Sequence, residues 1–384
     1  MKSRTLAGLA VLAAAVPASA QNISLTRPAA RLAHQFSSIT GLRELPDGRI
    51  LVSDGIDGVL VRVDLATARM DTVGRSGQGP GEYRSPDGLF GLADGGTLLV
   101  DLGNGRLSVF DARAAYRESL PIAQGQPGAG PLSLILPRGT DGRGRIYFQP
   151  AGGGAARVPP DSGMVVRWDR AAGTFDSVGR VKLPKLVTRT SGGPNNQNIR
   201  QRPAPFPIQE SWAVAPDGRV ALIRVPEYRV EWIQPNGSRV VGPVNRATPV
   251  RIRDAEKREY QSESAANGLQ VRMENNNGRV SMAFSRGRSD DAEEDDAIAA
   301  TEWPDTKPPV TGFATVAPDG MLWVERSVAA GAPRVYDVFD GAGKSVRQVT
   351  LPAGRRLIAV GTKGAYVRQV DADGISYLER YDLK

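Results

Sequence analysis

Six polar side chains stand at one level of a repeated pattern: Asp54, Asp101, Gln149, Arg224, Arg326 and Arg368. Four of them lie seven residues after the Asp of a recurrent turn, and Gln149 and Arg368 reach that level after small shifts. A ring of mixed charge at one height suits a polar or anionic ligand, because the guanidinium fork matches carboxylate and phosphate geometry. Asp54, Asp101, Asn104 and Glu325 also carry the hard oxygen donors that calcium prefers, so a calcium site is a second chemistry open to these residues. The two aspartates have a plainer use as well. Each precedes a turn dipeptide three residues on, Asp57-Gly58 or Asn104-Gly105, where a carboxylate caps the turn.

Composition removes several other chemistries. The chain has one histidine, His34, and no cysteine. Thiolate sites, disulfides and multi-histidine zinc or copper sites are therefore closed to it, and a Ser-His-Asp triad would have to be built on His34 alone. Carboxylate, amide and arginine chemistry is left. Gly341-Ala342-Gly343-Lys344-Ser345 ends like a phosphate-binding loop, but Val338 stands where that motif needs glycine and strand signals lie on both sides, so it reads as a hairpin turn. The glycine-rich run Gly77 to Gly81 lacks the lysine and the helix of such a loop. It reads as a crossing segment, with Tyr83 packing between neighbouring units.

The elements that position these residues recur along the chain. Asp47-Gly48, Asp94-Gly95, Asp141-Gly142, Asp217-Gly218, Asp319-Gly320 and a weaker Lys363-Gly364 each precede a short apolar run such as Ile50-Leu51-Val52 or Leu322-Trp323-Val324. Asp-Gly between apolar runs is hairpin chemistry. The spacing is 44 to 47 residues with two larger gaps, the period of four-stranded propeller blades. A second register keeps phase with the first: Asp64, Asp111 and Gln234 close the next apolar run seventeen residues after Asp47, Asp94 and Asp217. The pattern predicts an all-β, six-bladed propeller with blades near 38–74, 86–121, 132–184, 209–244 and 311–351, and a last copy, 355–383, with three strands only. An open edge is disfavoured. Ile23 to Arg27 is the expected fourth strand, closing the ring by joining the N- and C-terminal segments.

Extra length falls in two loop classes only. These are the second-to-third-strand turns (150–162, 327–333) and the connections between blades (74–85, 122–131, 185–208, 245–310). In a propeller both classes open on one face, around the mouth of the channel, which marks that face for function. The longest insertion, 245–310 between blades 4 and 5, is expected to be partly helical over 253–260 and again over 290–300. It reads either as a cap over the channel or as a solvated arm. The acidic run 290–296 lacks the alternating ligands and glycine of a calcium loop.

The segment Gly74 to Tyr83 carries Gly77-Gln78-Gly79-Pro80-Gly81-Glu82-Tyr83 and leads into Pro86-Asp87-Gly88, Asn104-Gly105-Arg106 and Phe110-Asp111. It resembles NHL-type repeats, and more closely the bacterial secreted six-bladed β-propeller proteins with a Gly-x-Gly-Pro-Gly-Glu-aromatic segment at the start of a blade. The match is specific over blades 1 and 2 and becomes a pattern beyond them. The resemblance implies a six-bladed ring. It does not imply one activity, since such rings serve as binding platforms and also as lactonases, lyases and sugar dehydrogenases.

Residues 1–20 read as a secretory signal: Lys2 and Arg4, an apolar stretch from Leu6 to Val16, then Ala18-Ser19-Ala20 before Gln21. The propeller domain is expected to occupy 21–384, outside the cytoplasm, in a periplasm or secreted. No later apolar run is long enough to span a membrane. The formal charge of +8 is spread thinly, without a dense Lys/Arg run, which speaks against nucleic acid as a partner. Two functions follow as expectations. One is a non-catalytic binding or scaffold propeller that engages a polar small molecule or an extracytoplasmic protein at its decorated face, with no cofactor. The alternative is a calcium-assisted, lactonase-like hydrolase or lyase using channel carboxylates.

Overall fold

A computed structural model describes residues 21–124, 133–150, 160–193, 196–267, 269–276, 279–286, 303–371 and 374–383. The expected signal segment, the acidic run and the second insertion helix lie outside the described residues. Six sheets succeed one another as the blades of a six-bladed β-propeller, each built on four antiparallel strands ordered from the inner to the outer edge, with a fifth strand added to blade 5. Blade 1 spans Ile39–Glu44 to Arg69–Thr72, blade 2 Pro86–Gly91 to Tyr116–Pro121, blade 3 Pro137–Thr140 to Thr174–Lys182 and blade 4 Ser211–Val214 to Arg239–Val241. Blade 5 runs from Val310–Val316 to Ser345–Thr350, and blade 6 starts at Arg355–Gly361.

The Asp-Gly turns work through two features. Asp47, Asp94, Asp217 and Asp319 each accept the backbone N–H two residues on, and the glycine that follows takes the left-handed region, with φ of 84°, 79°, 88° and 81° at Gly48, Gly95, Gly218 and Gly320. Only the glycine is left-handed, so the loop is a type I turn closed by a glycine bulge. Blade 3 departs from this. There Asp141 accepts from both Arg143 and Arg145, and Gly144, not Gly142, is the left-handed residue.

Among the described residues the core forms six clusters, one at each interface between neighbouring blades. The middle strands are thus covered on both faces. Ile50–Asp54 and Thr97–Asp101 are buried throughout, and the third strands of blades 2, 4 and 5 lose the in-out alternation their sequence suggests, whereas the outer strand Arg69–Thr72 is wholly exposed. Each fully buried aliphatic or aromatic side chain contributes about 1.5–3 kcal/mol. Tyr83 sits in the cluster between blades 1 and 2, donating to the Val73 carbonyl at 2.7 Å and accepting from Leu60 N–H at 3.0 Å.

The ring closes through the N-terminal segment, though not through Ile23 to Arg27 as one strand. Gln21–Ser24 adds in parallel to the outer strand of blade 5, giving that sheet a fifth strand. Ala30–Arg31 then pairs antiparallel with Ser376–Tyr381 and becomes the fourth strand of blade 6. Leu32 and Phe36 continue the contact through backbone bonds to Leu378 and Ser376. Pro28 sits between the two stretches, where a ladder donor is missing, and divides them.

Among the described residues the insertions contribute one helix, Asp254–Asn267, one four-stranded sheet, and the two-stranded pairs Arg75–Ser76/Glu82–Tyr83 and Ala123–Gln124/Ser133–Leu134. The hairpin Leu186–Gly193/Asn196–Pro203, from the blade 3–4 connection, pairs with Leu269–Asn276/Arg279–Arg286 from the blade 4–5 connection. Two insertions distant in sequence thus build a single appended sheet. No helix among the described residues is long and apolar enough to cross a membrane.

Candidate functional site

Asp54, Asp101, Arg224 and Arg326 each end the second strand of their blade, at the level the repeat sets. Their surroundings differ. Asp54 is fully buried; one carboxylate oxygen accepts from Ile56 and Asp57 N–H and the other from Ser38 N–H, each at 3.0 Å. Asp101, also fully buried, accepts from Arg84 and Ser85 N–H at 3.1 and 3.2 Å and from the Asn104 amide at 2.7 Å. Asn104 donates in turn to the Gly77 carbonyl, and the Arg106 guanidinium donates to the carbonyls of Gln78, Gly79 and Glu82. The glycine-rich segment is therefore a crossing loop stapled to blade 2 by Asn104-Gly105-Arg106. A Cβ at Gly74 would stand 2.5 Å from the Gly81 carbonyl, which explains the need for glycine.

The remaining members of the ring are engaged in pairs. Gln149 accepts from the Trp212 indole at 3.3 Å. Arg224 bonds Glu231, Glu210 and the Arg180 carbonyl at 2.9, 2.7 and 2.9 Å. Arg326 donates to the Arg246 carbonyl at 2.9 Å and lies 3.6 Å from Asp337. Glu325 is fully buried between the guanidiniums of Arg356 at 3.0 Å and Arg334 at 3.4 Å. Arg368 joins that cluster: burial lowers its pKa, Arg356 adds to the effect, and Glu263 and Glu325 oppose it. Asp54, the Asp101–Asn104 pair and Glu325 belong to three separate hydrogen-bond groups. They do not form a common donor set, and no group of three or more His, Cys, Asp or Glu among the described residues could hold a metal ion. His34 is exposed, its ring edge-on to Phe36 at 4.7 Å.

Glu325 and Arg368 mark the edge of the site that the geometry favours. A cavity of about 250 Å³ opens on the decorated face between blades 4, 5 and 6, lined by Phe206, Tyr260, Lys307, Arg334 and Arg356 among others. Its roof is the insertion helix. Glu256 closes the helix N-terminus by accepting from Arg253 N–H, while Arg253 C=O takes the first intrahelical bond. Glu256, Glu259 and Glu263 stand three and four residues apart, on one helical face. That acidic stripe meets the propeller. Glu256 accepts from Ala330 N–H at 3.0 Å, Glu259 from Gly331 N–H and Arg334, both at 3.3 Å, and Glu263 from Arg334. Arg356 lies 3.6 Å from Glu263. Burial works against the Arg356 charge, yet Glu325 and Glu263 outweigh it and raise its pKa.

The other wall is aromatic. The Phe206 ring lies 4.8 Å from Tyr260 and 6.0 Å from Trp303, and the Lys307 ammonium stands 5.3 Å from the Phe206 centroid. Phe206 has φ of 45°, a left-handed backbone that costs a bulky residue on the order of 1–3 kcal/mol. A second cavity, of about 390 Å³, lies among the first-to-second-strand turns and is lined by Leu42 to Pro46, Pro318, Ala359 to Thr362 and Tyr366. Its Glu44 is committed to Thr362, to Lys363 N–H and to the Tyr366 hydroxyl. Arg334, Arg356, Lys307 and the aromatic trio were not legible in the repeat. The helix that carries the acidic stripe was expected over 253–260, which includes Glu256 and Glu259; Glu263 lies in the part of Asp254–Asn267 beyond that range.

The class defined by this architecture is the six-bladed β-propeller, here with a helix packed against blades 5 and 6. No family model matches the chain, and no curated protein does. Several solved structures of bacterial proteins share its outline. The calcium-binding protein regucalcin of Agrobacterium tumefaciens is 12% identical, with 95% of this chain and 98% of that one aligned and a TM-score of 0.45. A member of the DUF4221 family from Bacteroides vulgatus is 8% identical over 92% and 95% of the two chains, with a TM-score of 0.47. A gluconolactonase of Xanthomonas campestris is 12% identical over 92% and 91%, with a TM-score of 0.41. The likeness is one of ring architecture, which the strands of this chain define by themselves; no activity passes with it.

Proposed function

We propose that the protein is an extracytoplasmic, non-catalytic binding propeller that takes a small ligand with an acid group and an apolar portion beneath the insertion helix. One observation carries the reading. The cavity combines a basic floor, Arg334, Arg356 and Lys307, with an aromatic wall, Phe206 and Tyr260, in the pattern of a mostly apolar cleft with a few placed charges. The helix carboxylates Glu259 and Glu263 already occupy the guanidiniums, so an acid-bearing ligand would exchange with them and not meet bare charge. Supply of the cap by the longest insertion, and of the floor by blades 5 and 6, accounts for the confinement of insertions to one face.

The test is thermal unfolding of the mature protein against a panel of aliphatic and aromatic carboxylates, with benzoate as the first probe. A ligand at a hundred times its dissociation constant adds about 2.7 kcal/mol, which raises the midpoint by a degree or more. The rise should vanish in Lys307→Met and Arg356→Gln. A panel without effect would sink the reading. A calcium-assisted hydrolase or lyase needs carboxylates with oxygens to spare, and those of Asp54 and Asp101 are taken by backbone and amide donors. The same assay with EDTA and then calcium should give no shift. A calcium-dependent rise would favour the enzyme reading. Sequencing of the exported protein should find Gln21 at its N-terminus.

A further inference from the structure

Every charge lining the cavity beneath the insertion helix has a counter-charge, whereas its neutral polar groups are largely uncommitted. Lys307 donates to the Val328 carbonyl at 2.8 Å and lies 3.5 Å from Glu259. Arg334 and Arg356 each pair with both Glu325 and Glu263. Three neutral side chains, Gln209, Thr311 and Ser327, line the same space. Thr311 Oγ1 accepts from Phe313 N–H at 3.4 Å, a long bond. The Gln209 carboxamide and the Ser327 hydroxyl have no hydrogen-bond partner among the described residues. Gln209 is held in place all the same. It packs on the inner strand of blade 5 at Gly312, where a Cβ would stand 2.9 Å from the carboxamide nitrogen, and Gly312 has φ of 91°, which favours glycine there. A half-buried carboxamide, positioned but with donors and acceptor to spare, fits the few placed polar groups by which a cleft fixes its ligand.

We propose, resting on the acid-and-apolar reading of this cavity, that its ligand is an N-acylated amino acid with an apolar side chain. The carboxylate takes the guanidiniums of Arg334 and Arg356, the apolar side chain takes the Phe206 and Tyr260 rings, and the amide takes Gln209. A primary carboxamide donates and accepts in one plane, so it matches the C=O and N–H of a secondary amide at two points. A free amino acid fits less well. Its ammonium stands one carbon from its carboxylate and is brought against Lys307, Arg334 and Arg356, and acylation removes that charge. Size points the same way. A cavity of about 250 Å³ is the space of roughly eight waters, enough for a single modified residue and too little for an oligopeptide.

The experiment uses the full mature protein and calorimetric titration with N-acetylphenylalanine, its N-methyl derivative, hydrocinnamate and free phenylalanine. Hydrocinnamate keeps the acid and the ring and lacks the amide. N-acetylphenylalanine should bind about tenfold more tightly than hydrocinnamate, which is what a pair of added hydrogen bonds supplies. N-methylation removes the donated N–H and should reverse most of that gain, and phenylalanine should bind more weakly than hydrocinnamate. In Gln209→Leu the ratio of the N-acetylphenylalanine and hydrocinnamate affinities should fall to about one. The ratio is internal to one sample, so a loss of folded protein cancels, and the N-methyl comparison needs no variant at all. Equal binding of N-acetylphenylalanine and hydrocinnamate, a gain that survives N-methylation, or an unchanged ratio in Gln209→Leu overturns the proposal and leaves the acid-binding reading standing. Tighter binding of phenylalanine overturns it too and makes a free amino acid the ligand. Binding of none of the four removes the proposal and that reading together.

Discussion

Blades 1 and 2 and blades 5 and 6 place charged residues at the same level of the ring and use them in opposite ways. In the first pair the residue is aspartate, and its short side chain is satisfied by backbone N–H groups within its own blade and the adjoining crossing loop. In the second pair the residues are Glu325, Arg326 and Arg368, long enough to reach other charged side chains, and Glu325 sits in a network that extends into the insertion helix. Height on the strand is thus a poor guide to role. Side-chain reach decides whether a polar residue at this level closes a turn or joins a site.

The comparison can be broken first at Asp101. Asp101→Ala strips the acceptor from two backbone N–H groups and the Asn104 amide in a buried place, and each unsatisfied donor costs about 1–3 kcal/mol. A loss of about 3 kcal/mol is expected in urea unfolding, with ligand binding unchanged per folded molecule. A stability-neutral result would refute the capping role. Glu325→Gln should come next, with a loss of about 2 kcal/mol, because the Arg334 and Arg356 charges lose their shared partner. Unlike the change at Asp101, it should also alter ligand binding. Tyr83→Phe removes one donated and one accepted bond between blades 1 and 2 and should cost about 1 kcal/mol.

Smaller effects sharpen the contrast from the side of the cap. Glu263→Gln loosens two partly exposed ion pairs, for which less than about 1 kcal/mol is expected. Faster amide hydrogen exchange across 254–267 with unchanged exchange in blade 1 would show that the helix opens by itself. Acid should act the same way. The Ala330 N–H holds the Glu256 carboxyl below its ordinary value of 4.5, with Arg253 N–H adding to the effect. A lowered folded-state pKa gives stability that is present above 4.5 and lost as pH falls through the folded value. Exchange in the helix should therefore quicken on acidification below that point before the blades respond.

The fold was legible because its signal is local. An Asp-Gly turn and the apolar run after it lie within a dozen residues, and blade 2 falls on the expected 86–121. The two pieces of closure were not separable in advance. Ala30–Arg31 is a two-residue strand with no alternation to read, and the parallel pairing of Gln21–Ser24 depends on a partner more than three hundred residues away. The site was partly legible. Arg368 came from the repeat and Glu325 as a candidate oxygen donor, but Arg334, Arg356 and Phe206 acquire meaning only from the helix that covers them.

Ring closure also fixes an order in time. Ala30 and Arg31 can pair with Arg380 and Glu379 only after nearly the whole chain has been made, and contacts this far apart in sequence form slowly. Until then Ser376–Tyr381, the third strand of blade 6, is an unpaired edge that another chain could zip onto. The clasp is then a latch thrown last, and concentration during refolding should decide between single rings and chains exchanged between neighbours.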